Sequence, residues 1–210
     1  MLSLKAWLLL ALIAVSVWFI YFWARRFRGA PGAKAPGMVH VGIGALTNFF
    51  DTLGIGSFAT TTALYKPFGL VADELIPGTL NVGHTIPTFV QAFIYIQIVQ
   101  VDPVTLVLMI LAAVLGSWLG AGVVSRWPRR QIQVGMALAL LAAATLMFLA
   151  QMGITSAGGE ALALSGTRMA IGLTVNFLLG ALMTLGIGLY GPCLILVSLL
   201  GMVPTAAFPI

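Results

Sequence analysis

The chain alternates long apolar runs with short polar breaks. Residues 6–23 form a near-continuous apolar run that closes with Trp18, Phe19, Tyr21, Phe22 and Trp23 and is followed at once by Arg25 and Arg26. A helix rises about 1.5 Å per residue, so some eighteen residues just cover the hydrocarbon core of a bilayer. The heavier charge lies after the run and no small-x-small site follows it directly, which argues for an anchoring helix over a cleaved signal peptide. Residues 29–37, with Gly, Pro and Lys34, read as a short linker. Met38 to Tyr65 is apolar but interrupted at Gly54-Ile-Gly56. Spans are expected at 75–98, 104–125 and 131–151, followed by a Gly/Ser-containing loop at 152–167 carrying Glu160. A further apolar stretch, 168–201, is interrupted at Gly186-Ile-Gly188, and a last segment runs from Val203 to Ile210.

The two interruptions repeat one another. Thr52-Leu-Gly-Ile-Gly56 recurs as Thr184-Leu-Gly-Ile-Gly188, an offset of 132 residues. At the same offset Leu64 meets Leu196, Gly69 meets Gly201, Val71 meets Val203 and Pro77 meets Pro209, giving nine identities in 26 ungapped positions. Shared greasiness accounts for only about three of these, by the abundance of a few residue types in apolar sequence. The chain therefore reads as residues 1–37, an anchor with a basic loop; 38–169, a first repeat; and 170–210, the start of a second. A first copy of that length implies a second reaching about residue 301, so Ile210 is expected not to be the natural end of the functional unit.

Charge placement decides how the first break is threaded. The net charge is +5, and the basic residues sit between apolar runs: Arg25, Arg26, Arg28 and Lys34, then Arg126, Arg129 and Arg130. Short loops rich in Lys and Arg stay in the cytoplasm. If 38–65 crossed once, the Arg126–Arg130 loop would lie outside. If it is instead two half-helices returning to one side, Lys66 and Arg126–Arg130 are cytoplasmic and the Glu160 loop is external. Three spans then follow, an odd number, so the second copy enters from the opposite face. The expected fold is an all-α polytopic membrane protein with inverted repeats and glycine-broken re-entrant half-helices, its amino terminus outside. Such inverted repeats are common among secondary transporters.

Composition narrows the function further. The chain is 60% hydrophobic and 7% charged, against about 25% charged for a soluble domain, so a soluble enzyme and a disordered protein are excluded. Nucleic-acid binding needs a folded basic face with room for bases, and none is visible. The single cysteine, Cys193, closes no intramolecular disulfide and offers no pair for a thiol relay. It reads as a small buried residue.

The chemistry-bearing residues cluster at the breaks. Broken helices persist in a bilayer only where protein or water-filled cavity surrounds them. A half-helix N-terminus presents free amides and partial positive charge to an anion. Gly54, Gly56, Ser57 and Thr60, with Thr61 and Thr62, supply amides and hydroxyls; Gly186, Gly188 and Tyr190 supply the symmetry mate. The alternative is close packing, the role also expected of Gly116 and Gly120. Asp51, just before the first break, is an intramembrane carboxylate and so a functional candidate by default. It either couples protons to substrate or holds the break by bonding local hydroxyls such as Thr52; its counterpart Met183 is apolar. Asn81, His84, Thr88, Gln91 and Tyr95 follow at spacings of three and four and share one face of a helix that Pro77 and Pro87 would kink. His84 relays protons, binds an anion when charged, or donates one interhelical hydrogen bond. Asn48 and Asn176 face a cavity or join helices. No metal or cofactor is called for.

The stretch Asn48-Phe-Phe-Asp-Thr-Leu-Gly-Ile-Gly-Ser57, continued by Ala59-Thr-Thr-Thr62 and Pro77-Gly-Thr-Leu-Asn-Val-Gly83, resembles the TauE/SafE family of sulfite exporter/sulfonate permease-type membrane proteins. The resemblance runs from about residue 38 to 210. It implies transport of sulfite, an organosulfonate or a related anion across a bacterial inner membrane by inverted halves. The expected partners are thus a small anion, protons and the lipid bilayer, with room for a homo-oligomer. A Ser57–His84 intramembrane protease is disfavoured, since the second copy has Leu189 in place of Ser57 and no third group is indicated; the chain is not expected to be an enzyme. A non-transporting partner subunit and a cation-coupled carrier are the rival readings.

Overall fold

The computed structural model describes residues 3–28, 36–124, 159–184, 186 and 188–210, with scattered positions between 128 and 153. The expected span at 131–151, the Arg126–Arg130 loop and most of the 29–37 linker lie largely outside the described residues. α1 (Leu4–Arg28) contains no Gly or Pro, and its helical run ends with three arginines in the last turn. It has no buried residue and is apolar all round, the character of a helix set in lipid. Together with α6 (Pro103–Val124) and α7 (Gly166–Met183), it is long and apolar enough to cross a bilayer. The fold is that of an all-α membrane protein. Among the described residues the one β interaction is an isolated bridge, Ala161 with Met202.

Two helical hairpins surround the glycine breaks. α2 (Met38–Thr52) ends where Gly54 and Gly56 adopt φ of 88° and 86°, a region open to glycine and costly to other residues. α3 (Ser57–Tyr65) then folds back on α2, with Thr61 Oγ1 2.9 Å from Thr47 Oγ1 and the rings of His40 and Tyr65 6.2 Å apart. α7 breaks at Gly186, φ 80°, and α8 (Tyr190–Leu199) returns along it, so that Leu200 reaches Gly172 and the carbonyl of Leu200 accepts from Arg168.

The two breaks share five hydrogen bonds, though the Ser57 N–H to Asp51 Oδ1 bond of the first has no counterpart at Met183. Gly54 N–H donates to Asp51 C=O at 2.9 Å, as Gly186 N–H does to Met183 C=O at 3.0 Å. The hydroxyls of Thr52 and Thr184 return to Phe49 and Ala181 carbonyls at 2.6 and 2.7 Å. At the far ends, Gly69 N–H bonds Lys66 C=O and Leu70 N–H bonds Tyr65 C=O; Gly201 to Ser198 and Met202 to Val197 repeat the pair. Ile76 to Asp73 is matched by Phe208 to Thr205. Gly69 and Gly201 both have positive φ, the left-handed residue that closes a helix. All five pairs keep the 132-residue offset. The match fails at one glycine: Gly56 has positive φ and Gly188 does not.

The expected span at 75–98 is corrected by the structure. It is two helices, α4 (Ile76–Gly83) and α5 (Thr85–Ile98), which meet at His84 with φ −90° and ψ −4°. Pro87 has no N–H to give Gly83, and its ring crowds the preceding turn, so the helix yields there. Pro77 does not kink anything; it sits in the first turn of α4, where its missing donor costs nothing.

α6 and α7 run parallel through a glycine seam. An added Cβ on Gly116 would lie 1.8 Å from Phe177 O, and one on Gly180 would lie 2.1 Å from Ala113 O. Gly120 abuts Ala181 in the same way, so the expected packing role of Gly116 and Gly120 is what they perform. Asn176, fully buried, donates to Met109 C=O at 2.8 Å across this seam and so joins helices. Cys193, also fully buried, lies in the apolar cluster of Met109, Val197 and Met202 beneath α8. The segment around Glu160 is pinned, not loose. Gly159 and Ala161 bond Met202 and Gly201, Asp102 N–H bonds Leu162 C=O, and Leu164 N–H bonds Thr105 Oγ1.

Candidate functional site

The tips of the two hairpins touch. The Tyr190 ring lies over Gly54, where a Cβ would meet the Tyr190 hydroxyl at 3.5 Å, and Phe58 lies against Gly188 at 3.4 Å. Phe58 and Tyr190 are counterparts in the repeat. Phe58 packs with Ile76 and Leu80, while Tyr190 lies 5.2 Å from Phe208, the counterpart of Ile76. The same pairing of aromatic and following segment therefore occurs on both sides of the contact.

Asp51 sits at its centre. Its Oδ1 accepts the backbone N–H of Ser57 at 2.8 Å, so the carboxylate occupies the positive end of α3. The Ser57 hydroxyl and the Gln91 side chain lie beside the same carboxylate. Thr52 does not bond it; that hydroxyl turns to its own helix. Of the five acidic residues, Asp51 alone lies inside a helix. Among the described cations, Lys5, Arg25, Arg26, Arg28, Lys66 and Arg168 lie in the first or last turn of a helix or just beyond. The Tyr190 hydroxyl is buried without a hydrogen-bond partner, which leaves a donor at the tip contact.

The polar face of α4 and α5 lies along these hairpins. Asn81 donates to Pro77 C=O at 2.8 Å and to Met183 C=O at 3.4 Å, steadying the end of α7. His84, 5% exposed, lies between Thr61 and Asn48 and against the Phe58 ring. Tyr95 donates to Thr52 C=O at 3.3 Å and stacks on Phe208 at 4.7 Å. Thr88 bonds the His84 carbonyl. Of the candidates from the sequence, Asp51, Gly54, Ser57 and Tyr190 gather at the tip contact, flanked by Gly56, Gly186, Gly188 and Asn81. Gly186 touches Pro77 and Leu80. Thr60 turns its hydroxyl to Gly56 and Ser57 carbonyls, so its proton serves its own helix. Thr47 and Gln91 join the polar centre although the sequence marked neither as a site; a threonine in an apolar run reads like a valine. No group of three or more metal-ligating side chains occurs among the described residues.

The family model for sulfite exporter TauE/SafE matches residues 2–147, which takes in α1, the first hairpin and α4 to α6. No curated protein and no solved structure matches the chain.

Proposed function

The chain belongs to the sulfite exporter TauE/SafE family, and we propose that it is a secondary carrier that binds a small sulfur oxyanion, sulfite or an organosulfonate, between the two hairpin tips. The observation that carries this reading is the 2.8 Å bond from Ser57 N–H to Asp51 Oδ1. A carboxyl oxygen already rests on the N-terminal amide of a half-helix, where the helix dipole favours an anion. A substrate oxyanion would take the same amide, with the Ser57 and Tyr190 hydroxyls as further donors and Gly54 and Gly56 allowing close approach. Thr60, Asn81, Gly186 and Gly188 shape the walls.

Two anions cannot share one amide in a poorly solvated centre. Entry of substrate therefore requires Asp51 to move aside or take a proton, which ties anion binding to proton movement. The matched hydrogen bonds support reading 38–169 as one unit and 170–210 as the start of its inverted partner, with alternating access about the touching tips. Lys5 at the start of α1 bonds the Gln97 carbonyl, near the end of α5, and the three arginines lie at the opposite end of α1. The positive-inside rule then puts the arginines in the cytoplasm and the amino terminus outside, in a bacterial inner membrane.

The test is sulfite and organosulfonate flux in proteoliposomes carrying an internal pH dye. Anion flux accompanied by proton movement is the expected result. Absence of flux for every sulfur oxyanion, from folded protein, would sink the substrate class.

A further inference from the structure

His84 is joined to a chain of hydrogen-bonding groups whose direction can be reversed. Asn48 donates from Nδ2 to Gly44 C=O at 2.7 Å. A flipped amide would set two acceptors against each other there, so Oδ1 must be the atom that faces His84 Nδ1 at 3.2 Å. Oδ1 only accepts; Nδ1 therefore carries a hydrogen. The other ring nitrogen, Nε2, lies 3.0 Å from Thr61 Oγ1, which lies 2.9 Å from Thr47 Oγ1, which lies 2.9 Å from Ile43 C=O.

This chain has two complete solutions. With neutral His84, Thr47 donates to Thr61 and Thr61 donates to Nε2. With charged His84, Nε2–H donates to Thr61, Thr61 donates to Thr47, and Thr47 donates to the Ile43 carbonyl. Every donor is placed in both, and the two differ by rotation of two hydroxyls and one proton, with no heavy atom displaced. Thr47, Thr61 and His84 are 1%, 2% and 5% exposed, so no bulk water is needed to complete either state. The counterparts of Thr47, Asn48 and Thr61 at the 132-residue offset are Leu179, Gly180 and Cys193. The second copy therefore lacks the two hydroxyls and the amide of this chain of groups.

We infer that His84, Thr61, Thr47 and Asn48 form a proton-binding site, separate from the anion site, that takes up a proton accompanying the substrate in addition to any held by Asp51. Its role in coupling rests on the carrier reading; its proton chemistry does not. Asp51 is the charged group that faces His84, three residues beyond Asn48 on α2. The other groups around the ring are Thr47 and Asn48 from α2 and Phe58 and Thr61 from α3. Lys5, Arg25, Arg26, Arg28, Lys66 and Arg168 are at helix ends, and an imidazolium at His84 would set a positive charge beside Asp51 to offset an entering anion.

The chain has two histidines, His40 and His84, so nitrogen-15 NMR of histidine-labelled full-length protein in lipid bilayers reads the site directly, with His40→Gln assigning the signals. His84 should show the Nδ1–H tautomer at alkaline pH and both nitrogens protonated on acidification. Thr61→Val keeps the shape and removes the acceptor for Nε2–H. It should lower the ratio of charged to neutral His84 at a fixed acid pH about tenfold, the order of one hydrogen bond to a charged group, and Thr61→Ser should restore it. If Thr61→Val does not fold, Thr47→Val should move the ratio the same way by a smaller factor. An Nε2–H tautomer at alkaline pH, or an unchanged ratio in the folded valine variants, overturns the site. Proton counting in the same proteoliposomes tests the coupling: folded, active Thr61→Val should carry fewer protons per anion, and an unchanged count overturns that role. Wild-type protein that shows the NMR pattern but moves no anion leaves the proton site standing and removes the carrier reading instead.

Discussion

Asp51 Oδ1 and Ser57 N–H close the first glycine break across six residues, at 2.8 Å. The bond caps α3 from within the preceding helix, a place ordinarily taken by a Ser, Thr, Asn or Asp immediately before the helix. The residue at that adjoining position is Gly56, which has no side chain to offer.

Replacing the carboxylate separates its two roles. Asp51→Asn keeps an acceptor for Ser57 N–H but carries no proton charge. It should fold with a loss under about 1 kcal/mol, and anion flux should persist with fewer protons moved per anion, the share held at His84 remaining. Asp51→Ala should cost about 1–2 kcal/mol, the value of a lost cap. Thermal unfolding in detergent and dye-reported flux together check both, and full proton coupling in Asp51→Asn would contradict the assignment.

The glycines at the breaks should not respond alike. Gly54→Ala forces a side chain onto a backbone at φ 88° and places a methyl against the Tyr190 ring. About 1–2 kcal/mol of strain is expected, together with loss of transport. Gly188→Ala meets Phe58 at 3.4 Å from an ordinary backbone conformation and should be tolerated with most flux retained. Parallel flux and melting curves would show the contrast, and equal sensitivity would contradict it.

Much of this break was legible in the sequence because conformation and identity coincide there. Gly54 with Gly186 and Gly69 with Gly201 are repeated residues that also share positive φ, a demand only glycine meets cheaply. Asp51 was legible as a carboxylate out of place, yet its partner was not, since a bond to a backbone N–H six residues away leaves no mark on composition. The kink from Pro87 was legible, but its place at His84 was not, because the strain of that proline falls on the turn before it. Asn48 was legible as a cavity-facing or helix-joining amide, but its partner was not, and Thr47 gave no signal, because the groups that use them, His84 and Thr61, come from the bend between α4 and α5 and from α3.

The α6–α7 seam predicts a sharper response. Gly116→Ala or Gly180→Ala would drive a methyl into a backbone carbonyl at 1.8 or 2.1 Å; the helices must part, at a cost of several kcal/mol by the behaviour of overpacked contacts. Gly122→Ala, on the same helix, meets nothing within 4 Å and should be near neutral. Size-exclusion profiles and melting temperatures of the three variants decide it.

Asn176 offers a polar test of the same seam. Its Nδ2 bonds Met109 C=O while its Oδ1 is buried without a partner. Asn176→Leu removes both groups and should cost little, about 1 kcal/mol or less, as interhelical hydrogen bonds in membranes do. Asn176→Asp sets a carboxylate against the Met109 carbonyl and should destabilise more than leucine does. The order of the two melting temperatures is the readout, and the reverse order would overturn the account.

The five matched hydrogen bonds imply a near-degeneracy of states. In a carrier whose halves exchange conformations, backbone bonds altered in one hairpin are replaced by bonds of the same kind and length in the other, and their contributions cancel. What remains to favour one facing state lies where counterparts differ: Asp51 against Met183, Ser57 against Leu189, Thr61 against Cys193. The first two place the polar or ionisable partner on the first copy, while Tyr190 against Phe58 places one on the second. In the proposed carrier the resting orientation would depend on a handful of unmatched side chains around the two breaks, and it would tilt with the protons they hold.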